Sequence, residues 1–382
     1  MRSRLLTNYK KCPRTNEIND ARLRPFRDKL VLVNRTISTF GSNVPFLKKD
    51  QLASIFSRLG VLRLLEAAPR RPQLLVLNYH RIGDADSSPY DPGVFSTSAQ
   101  GFEEQIQLLK KRYRFATVSQ ALDIIEGRES ISETMILITF DDGYRDNFKL
   151  AFPALQRHGV EAIFFLVTSS IATQQLPWWD EIAYLAKLHA PKTLRISYPH
   201  VEDFDLTPAY FDKSLRRLLS ALKTPATIDL PAFLTMMRAA VGFTGEAPLA
   251  ELTMTWDEAR AMRAGGMTIG MHSHSHRILA KLTLEEQIAE LKACRTKLEQ
   301  EMGSPVVLLS YPVGTRETFN ADTIAAANEV GIRAGFSFYG GTNLPGSIDP
   351  FDIRRAAFES YTPAVRVRLA TALMAVTGTR WI

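Results

Sequence analysis

Cysteine is nearly absent from this chain of 382 residues: Cys12 and Cys294 are the only two, far apart and in unlike surroundings. That count supports no disulfide framework and excludes a thiolate zinc site. Long apolar runs are missing as well, since no window approaches the roughly 18 uninterrupted apolar residues of a membrane-spanning helix. Near the start, Leu5-Leu6 runs at once into Thr-Asn-Tyr-Lys-Lys instead of the apolar stretch of a secretory signal. These absences predict a cytoplasmic protein, with peripheral contact as the one membrane association left open. Histidine is also scarce, seven in all, and none follows His276.

What is present is ordinary for a globular chain, 45% hydrophobic and 23% charged, which excludes wholesale disorder. The charge is unevenly spread. Residues 1–74 carry 16 Lys and Arg against five acids, a net of +11, so the rest of a +7 chain is about −4. Such a basic lead segment suits anionic lipid headgroups. Nucleic-acid binding would rest on it alone and is not expected. Residues 49–67 place Leu52, Ile55, Phe56, Leu59, Leu62 and Leu65 at helical spacing behind Asp50 as N-cap. The stretch reads either as an interfacial helix flanked by arginines or as a helix docked on the domain that follows.

From residue 73 the pattern changes. Apolar runs at 74–80, 135–140, 162–167, 267–271, 306–310 and 334–338 read as buried strands. Helical periodicity covers 101–112, 117–127, 146–158, 255–264, 283–302 and 320–330, with Gly159 and Gly265-Gly266 as stops. The alternation predicts an α/β fold with parallel strands, open or closed as a barrel. Ligands of such folds gather at the carboxyl ends of strands, where His80 and Asp141-Asp142 are expected. The stretch 175–250 breaks the rhythm and reads as a mostly helical insertion, a lid or acceptor-binding element. The implied organisation is a basic extension over 1–72, a catalytic domain over 73–360 and a C-terminal helix or tail over 361–382.

Two fragments make joint sense as a metal site: Thr139-Phe140-Asp141-Asp142-Gly143 and His272-Ser273-His274-Ser275-His276. Side chains of adjacent aspartates diverge, so one carboxylate can ligate while the other faces a reacting water. His272 and His276 share a face of a helical turn; on an extended segment His274 would join them. One carboxylate with two neutral imidazoles suits a divalent ion such as zinc and leaves a coordination position open.

Thr-Phe-Asp-Asp-Gly-Tyr, Ile-Gly-x-His-Ser-x-x-His and Ser-Tyr-Pro-Val-Gly together resemble the polysaccharide deacetylase family, carbohydrate esterase family four, whose catalytic unit is the NodB homology domain. The resemblance covers about 73–360 without the insertion. It implies a distorted (β/α) barrel of about seven strands and removal of N-acetyl groups from saccharides. It assigns Asp141 as general base and Asp142, His272 and His276 as ligands of a divalent metal, zinc or cobalt. It also places the backbone N–H of Val313 at the oxyanion, with Tyr311 and Pro312 beside the substrate. His274 falls at a variable position and takes no role.

Two departures matter. The family's Arg-x-Pro-Tyr is replaced by Ser310-Tyr311-Pro312-Val313-Gly314, so the arginine that orients the base must come from elsewhere. Arg355 resembles the later arginine of Tyr-Pro-x-Gly members, with Arg354 as the fallback. The usual C-terminal histidine is absent too, and His80, in Leu-Asn-Tyr-His-Arg-Ile, resembles the general acid of permuted members. Trp178, Trp179, Trp256, Tyr144 and Tyr339 are considered for sugar stacking. The expected function is a metal-dependent saccharide deacetylase acting on a polysaccharide or oligosaccharide. A nodulation-type chitooligosaccharide deacetylase and a lipid-linked sugar deformylase are the specific alternatives, and a non-enzymatic saccharide-binding protein is the rival class.

Overall fold

Parallel strands covered by helices on both faces are apolar at every position, and three strands of this chain meet that condition: β1 (Gln73–Tyr79), β2 (Thr134–Phe140) and β3 (Ala162–Leu166) are buried throughout. The computed structural model describes residues 49–223, 228–245, 251–359 and 361–379. Most of the basic extension expected over 1–72 therefore lies outside the described residues. Four shorter strands follow: β4 (Thr268–Met271), β5 (Leu308–Ser310), β6 (Ala334–Phe336) and β7 (Arg355–Ala357). The order across the sheet is β6-β5-β4-β3-β2-β1-β7, with every pairing parallel. A parallel bridge from Phe336 to Ile353, just ahead of β7, brings the two edges together. The result is the expected distorted barrel of seven strands, nearly closed. An eighth short strand, Arg114–Phe115, pairs with the start of β2.

Alternate residues divide between two cores. Leu74, Val76, Leu137, Ile163, Phe165 and Phe336 pack together in one; Leu75, Leu77, Ile136, Ile138 and Phe164 pack in the other with helices Ala99–Lys110 and Leu284–Met302. Helix starts follow sequence chemistry: Ser98, Thr117, Thr255 and Thr283 each accept a hydrogen bond from a first-turn N–H.

Several elements differ from expectation. Residues 49–67 form two helices, Lys49–Arg58 and Val61–Ala67, because Gly60 turns left-handed at φ +75°. Both dock on the C-terminal helix Ala364–Thr377. Leu62 and Leu65 are buried there, and Glu66 pairs with Arg368. Leu59 and Leu64 stay outside, 71% and 70% exposed. The helix expected over 146–158 begins instead as a π-helical turn, Asn147–Ala151, before α-helix Phe152–His158. Its first residue uses the changed geometry, since Asn147 Nδ2 donates to the His80 carbonyl at 2.7 Å.

The stretch 175–250, expected to be a mostly helical insertion, is less purely helical than that. Helices Trp178–His189, Phe211–Lys223 and Leu230–Val241 surround an antiparallel hairpin, Thr193–Ile196 with Glu202–Asp205. Leu194 and Ile196 point inward while Thr193 and Arg195 are exposed, the period of two that proline-dotted flanks obscured. The insertion has its own apolar core around Ile182, Leu194, Phe204, Leu218 and Phe233. Among the described residues no helix is long and apolar enough to cross a membrane.

Candidate active site

Every polar group singled out at a strand end projects from the same end of the barrel. β2 runs directly into Asp141 and Asp142, β1 into His80, β4 into His272, and β5 into the Tyr311-Pro312-Val313 loop. β7 contributes its first residue, Arg355.

Arg355 is wholly buried and grips Asp141 with both guanidinium arms, Nη1 to Oδ1 at 2.9 Å and Nη2 to Oδ2 at 2.9 Å. Its remaining donors go to the Ser337 carbonyl (2.8 Å), Asn78 Oδ1 (2.6 Å) and Ser310 Oγ (2.8 Å). Asn78 Nδ2 donates to Asp141 Oδ2 at 3.2 Å. Burial alone would raise the Asp141 carboxyl, but Arg355 and then His272 outweigh it and hold the group well below the usual carboxylate range. A carboxylate offers about four acceptor sites. Two on Oδ2 and one on Oδ1 are taken, which leaves Oδ1 able to accept a proton. Arg354, the fallback, points elsewhere, its guanidinium lying over the Tyr339 ring at 5.9 Å.

Asp142 takes no part in that pair. Its Oδ1 faces His272 Nε2 at 3.3 Å and His276 Nε2 at 3.5 Å. The three ligand atoms lie within 4.8 Å of one another. Asp142 Oδ1 is buried yet has no hydrogen-bond partner. His272 Nδ1–H donates to the Ser310 carbonyl at 2.8 Å, which fixes the tautomer and aims the Nε2 lone pair at Asp142. Burial pushes His276 down to about 3, so its ring is neutral. One unsatisfied carboxylate oxygen facing two imidazole nitrogens, one of them aimed by its own tautomer, is a donor set that fits a divalent cation.

The histidine segment is neither helical nor extended. Ser273 and His276 take positive φ, +61° and +56°, and this folds the loop so that His272 and His276 converge. The Ser273 hydroxyl accepts from the His276 N–H at 3.0 Å, and Glu290 accepts from Ser275 N–H at 2.5 Å. His274 turns away to the Thr168 hydroxyl at 2.8 Å and does not join the cluster. Asp142 and Val313 also carry positive φ, +75° and +63°. For residues other than glycine such backbone costs about 1–3 kcal/mol and collects at functional sites.

His80 closes the other side. Its Nε2 is 4.0 Å from Asp141 Oδ2, and its Nδ1, buried without a hydrogen bond, is 3.8 Å from Glu359 Oε1. The Gly314 N–H bonds back to the Pro312 carbonyl at 2.7 Å, so Val313 is the middle of a tight three-residue turn. Gly314 is required there, because a Cβ would stand 2.8 Å from the Phe338 backbone nitrogen. The Val313 N–H has no acceptor among the described residues. Tyr311, expected beside the substrate, is instead a packing residue. Its ring stacks on Phe319 at 4.3 Å and its hydroxyl donates to the Phe351 carbonyl at 2.8 Å.

The aromatic expectations divide. Trp179 and Tyr144 are buried and offer no face to a sugar. Trp256 lies under Lys297 at 5.3 Å, and Tyr339 is bonded to Asp352. Trp178 remains half-buried and, with Tyr198, Leu222, Leu230, His276 and Lys281, lines a cavity of 730 Å³ between the insertion and the histidine loop. Asn78, Ser310 and Glu359 were missed from sequence. Only Asn78 left a signal, as a lone amide in an apolar strand.

A parallel barrel that gathers an Asp–His–His cluster and a second, arginine-held carboxylate at its strand ends has the layout of a metal-assisted hydrolase. The chain belongs to the polysaccharide deacetylase family: the family model of that description matches residues 128–196 and 201–335. That span contains Asp141, Asp142, His272, His276 and the Tyr311-Pro312-Val313 turn, while His80 and Arg355 lie outside it. YxkH of Bacillus subtilis (strain 168), named as a polysaccharide deacetylase, is 28% identical over 137 residues, 36% of this chain and 46% of its own length. The match therefore spans about half of that relative. Two solved structures share the fold. The deacetylase PplD of Streptococcus pyogenes, in complex with acetate, aligns with a TM-score of 0.51 at 14% identity over 78% of this chain and 97% of its own. IcaB from Ammonifex degensii aligns with a TM-score of 0.51 at 17% identity over 80% and 99%.

Proposed function

We propose that the protein is a metal-dependent carbohydrate N-deacetylase, with Asp142, His272 and His276 holding a divalent ion, zinc or cobalt. The observation that carries this reading is Asp141: a buried carboxylate beside the ligand cluster, kept ionised by Arg355 and not used as a ligand. A bound ion supplies Lewis acidity, lowering the pKa of water and polarising the acetyl carbonyl. Asp141 accepts the proton of the attacking water on Oδ1. The Val313 N–H donates to the oxygen on which charge develops. His80 gives a proton to the departing amine, with Glu359 facing its other nitrogen.

The cavity beside His276 receives the saccharide beyond the acetyl group, and Trp178 is its stacking surface. The acceptor is an N-acetylated oligosaccharide, of chitooligosaccharide type, or a lipid-linked sugar. The exposed Leu59 and Leu64, next to Arg58 and Arg63, are the proposed contact with an anionic membrane.

Acetate release from N-acetylglucosamine oligomers tests the reading. The protein is chelated, reloaded with zinc or cobalt, and compared with Asp141→Asn. Release that returns with the ion and falls by about 100- to 10,000-fold in the variant supports it. A fully metallated protein silent on N-acetyl and N-formyl sugars, yet binding them, would favour the saccharide-binding class instead.

A further inference from the structure

The two imidazoles of the cluster are held in different ways. His272 has its Nδ1–H fixed by the Ser310 carbonyl at 2.8 Å. His276 has no such anchor: its Nδ1 is buried without a hydrogen-bond partner. A histidine ligand is normally oriented by a bond to its second ring nitrogen, so something else must set this ring. The indole of Trp179 lies against it, ring centroids 4.4 Å apart, while His272 packs on it at 4.8 Å.

Trp179 is itself braced. Its Nε1–H donates to the Tyr144 hydroxyl at 2.7 Å, and that hydroxyl donates to Asp180 Oδ2 at 2.7 Å. The other Asp180 oxygen accepts the Asp91 N–H at 3.2 Å. Arg81 covers the Tyr144 ring at 4.9 Å and is tied to Asp146 at 2.8 Å. Trp179, Tyr144 and Asp180 are all buried. Trp179 and Asp180 belong to the insertion, whereas Tyr144 stands two residues beyond Asp142 in the barrel.

We propose that Trp179, braced through Tyr144 to Asp180, is the positioning residue for His276, so that the insertion forms part of the metal centre. The inference rests on the metal reading above. A ring without a polar anchor swings about its Cβ–Cγ bond unless packing stops it, and each orientation other than the observed one takes Nε2 away from Asp142. The indole limits that swing, and the Tyr144 bond keeps the indole from following the ring.

The test is zinc affinity of the full chain, measured by competition with a chromophoric chelator, together with the visible spectrum of the cobalt-loaded protein. Wild type must bind one ion, and Asp142→Ala must abolish it; failure here overturns the metal reading and this inference with it. Given that binding, Trp179→Leu is expected to weaken zinc by roughly 10- to 100-fold and to alter the cobalt absorption. Trp179→Phe keeps an aromatic face and is expected to recover most of the affinity. Tyr144→Phe, which removes the brace alone, is expected to fall between them and carries the test if Trp179→Leu does not fold. Wild-type affinity and an unchanged cobalt spectrum in folded Trp179→Leu, or in Tyr144→Phe when the leucine variant is unfolded, would overturn the proposal. So would a Trp179→Phe protein as weak as Trp179→Leu.

Discussion

Arg355 and Asp141 meet in a two-pronged ion pair, 2.9 Å at each contact, although they are 214 residues apart in the chain. Both side chains are withdrawn from water. A buried pair of this kind adds little net stability over an apolar pair, but removing one partner strands the other at a cost of about 3–5 kcal/mol. Arg355→Met is therefore expected to lower the unfolding free energy by that amount in urea, while Arg355→Lys, which keeps the charge but not the fork, loses less. Both variants should lose deacetylation more than they lose zinc. Equal stability of Arg355→Met and wild type would remove the pair from the account.

His80 is the proposed proton donor to the leaving group, and the substrate can be chosen to expose that step. An amine cannot depart unprotonated, whereas a nitrophenolate can. His80→Gln is expected to reduce kcat on N-acetyl sugars by about 100-fold or more and to change hydrolysis of an aryl acetate only slightly. Glu359→Gln, acting through the Nδ1 contact at 3.8 Å, should show the same pattern more weakly. A parallel loss on both substrates would assign His80 a structural role.

Asp180 supplies a pH signature that needs no substrate. Burial, only partly offset by Arg81 and Tyr144, pushes its carboxyl up to about 7. An unfolded aspartate titrates near about 3.9. Between roughly pH 4 and 7 the folded protein thus holds a proton that the unfolded chain has released. This group's contribution to stability is full below the unfolded value and declines as pH rises through about 7. Asparagine imitates the protonated form at every pH. Asp180→Asn should exceed wild type in urea midpoint by less at pH 5 than at pH 8, both metal-free, because wild type loses this contribution progressively between about pH 4 and 7. A constant difference across that range would contradict the shift.

Sequence patterning was enough for the long elements and for the residues of the Asp–His–His cluster. β1, β2 and β3 are apolar without interruption because both their faces are covered, and the helix starts carry Ser or Thr caps that act locally. Asp141, Asp142, His272 and His276 were recognisable as a candidate metal site because ligand chemistry admits few residue types and they stand in two short motifs; the family resemblance separated candidate ligand from candidate base. Short strands were harder. Arg355–Ala357 and Arg114–Phe115 hold too few residues to show a period, and their pairing partners lie far along the chain.

By itself, the sequence determined what depends on neighbours in the chain: strand and helix type, cap positions, and the residue types of the candidate ligands and base. Tertiary structure alone decided which of Arg354 and Arg355 reaches Asp141, that His274 turns to Thr168, and that Tyr311 packs inward. It alone brought Trp179 from the insertion against His276. Each of these depends on where a side chain points once strands distant in sequence are paired. A single left-handed residue, such as Ser273 or Val313, changes that direction without leaving a periodic trace.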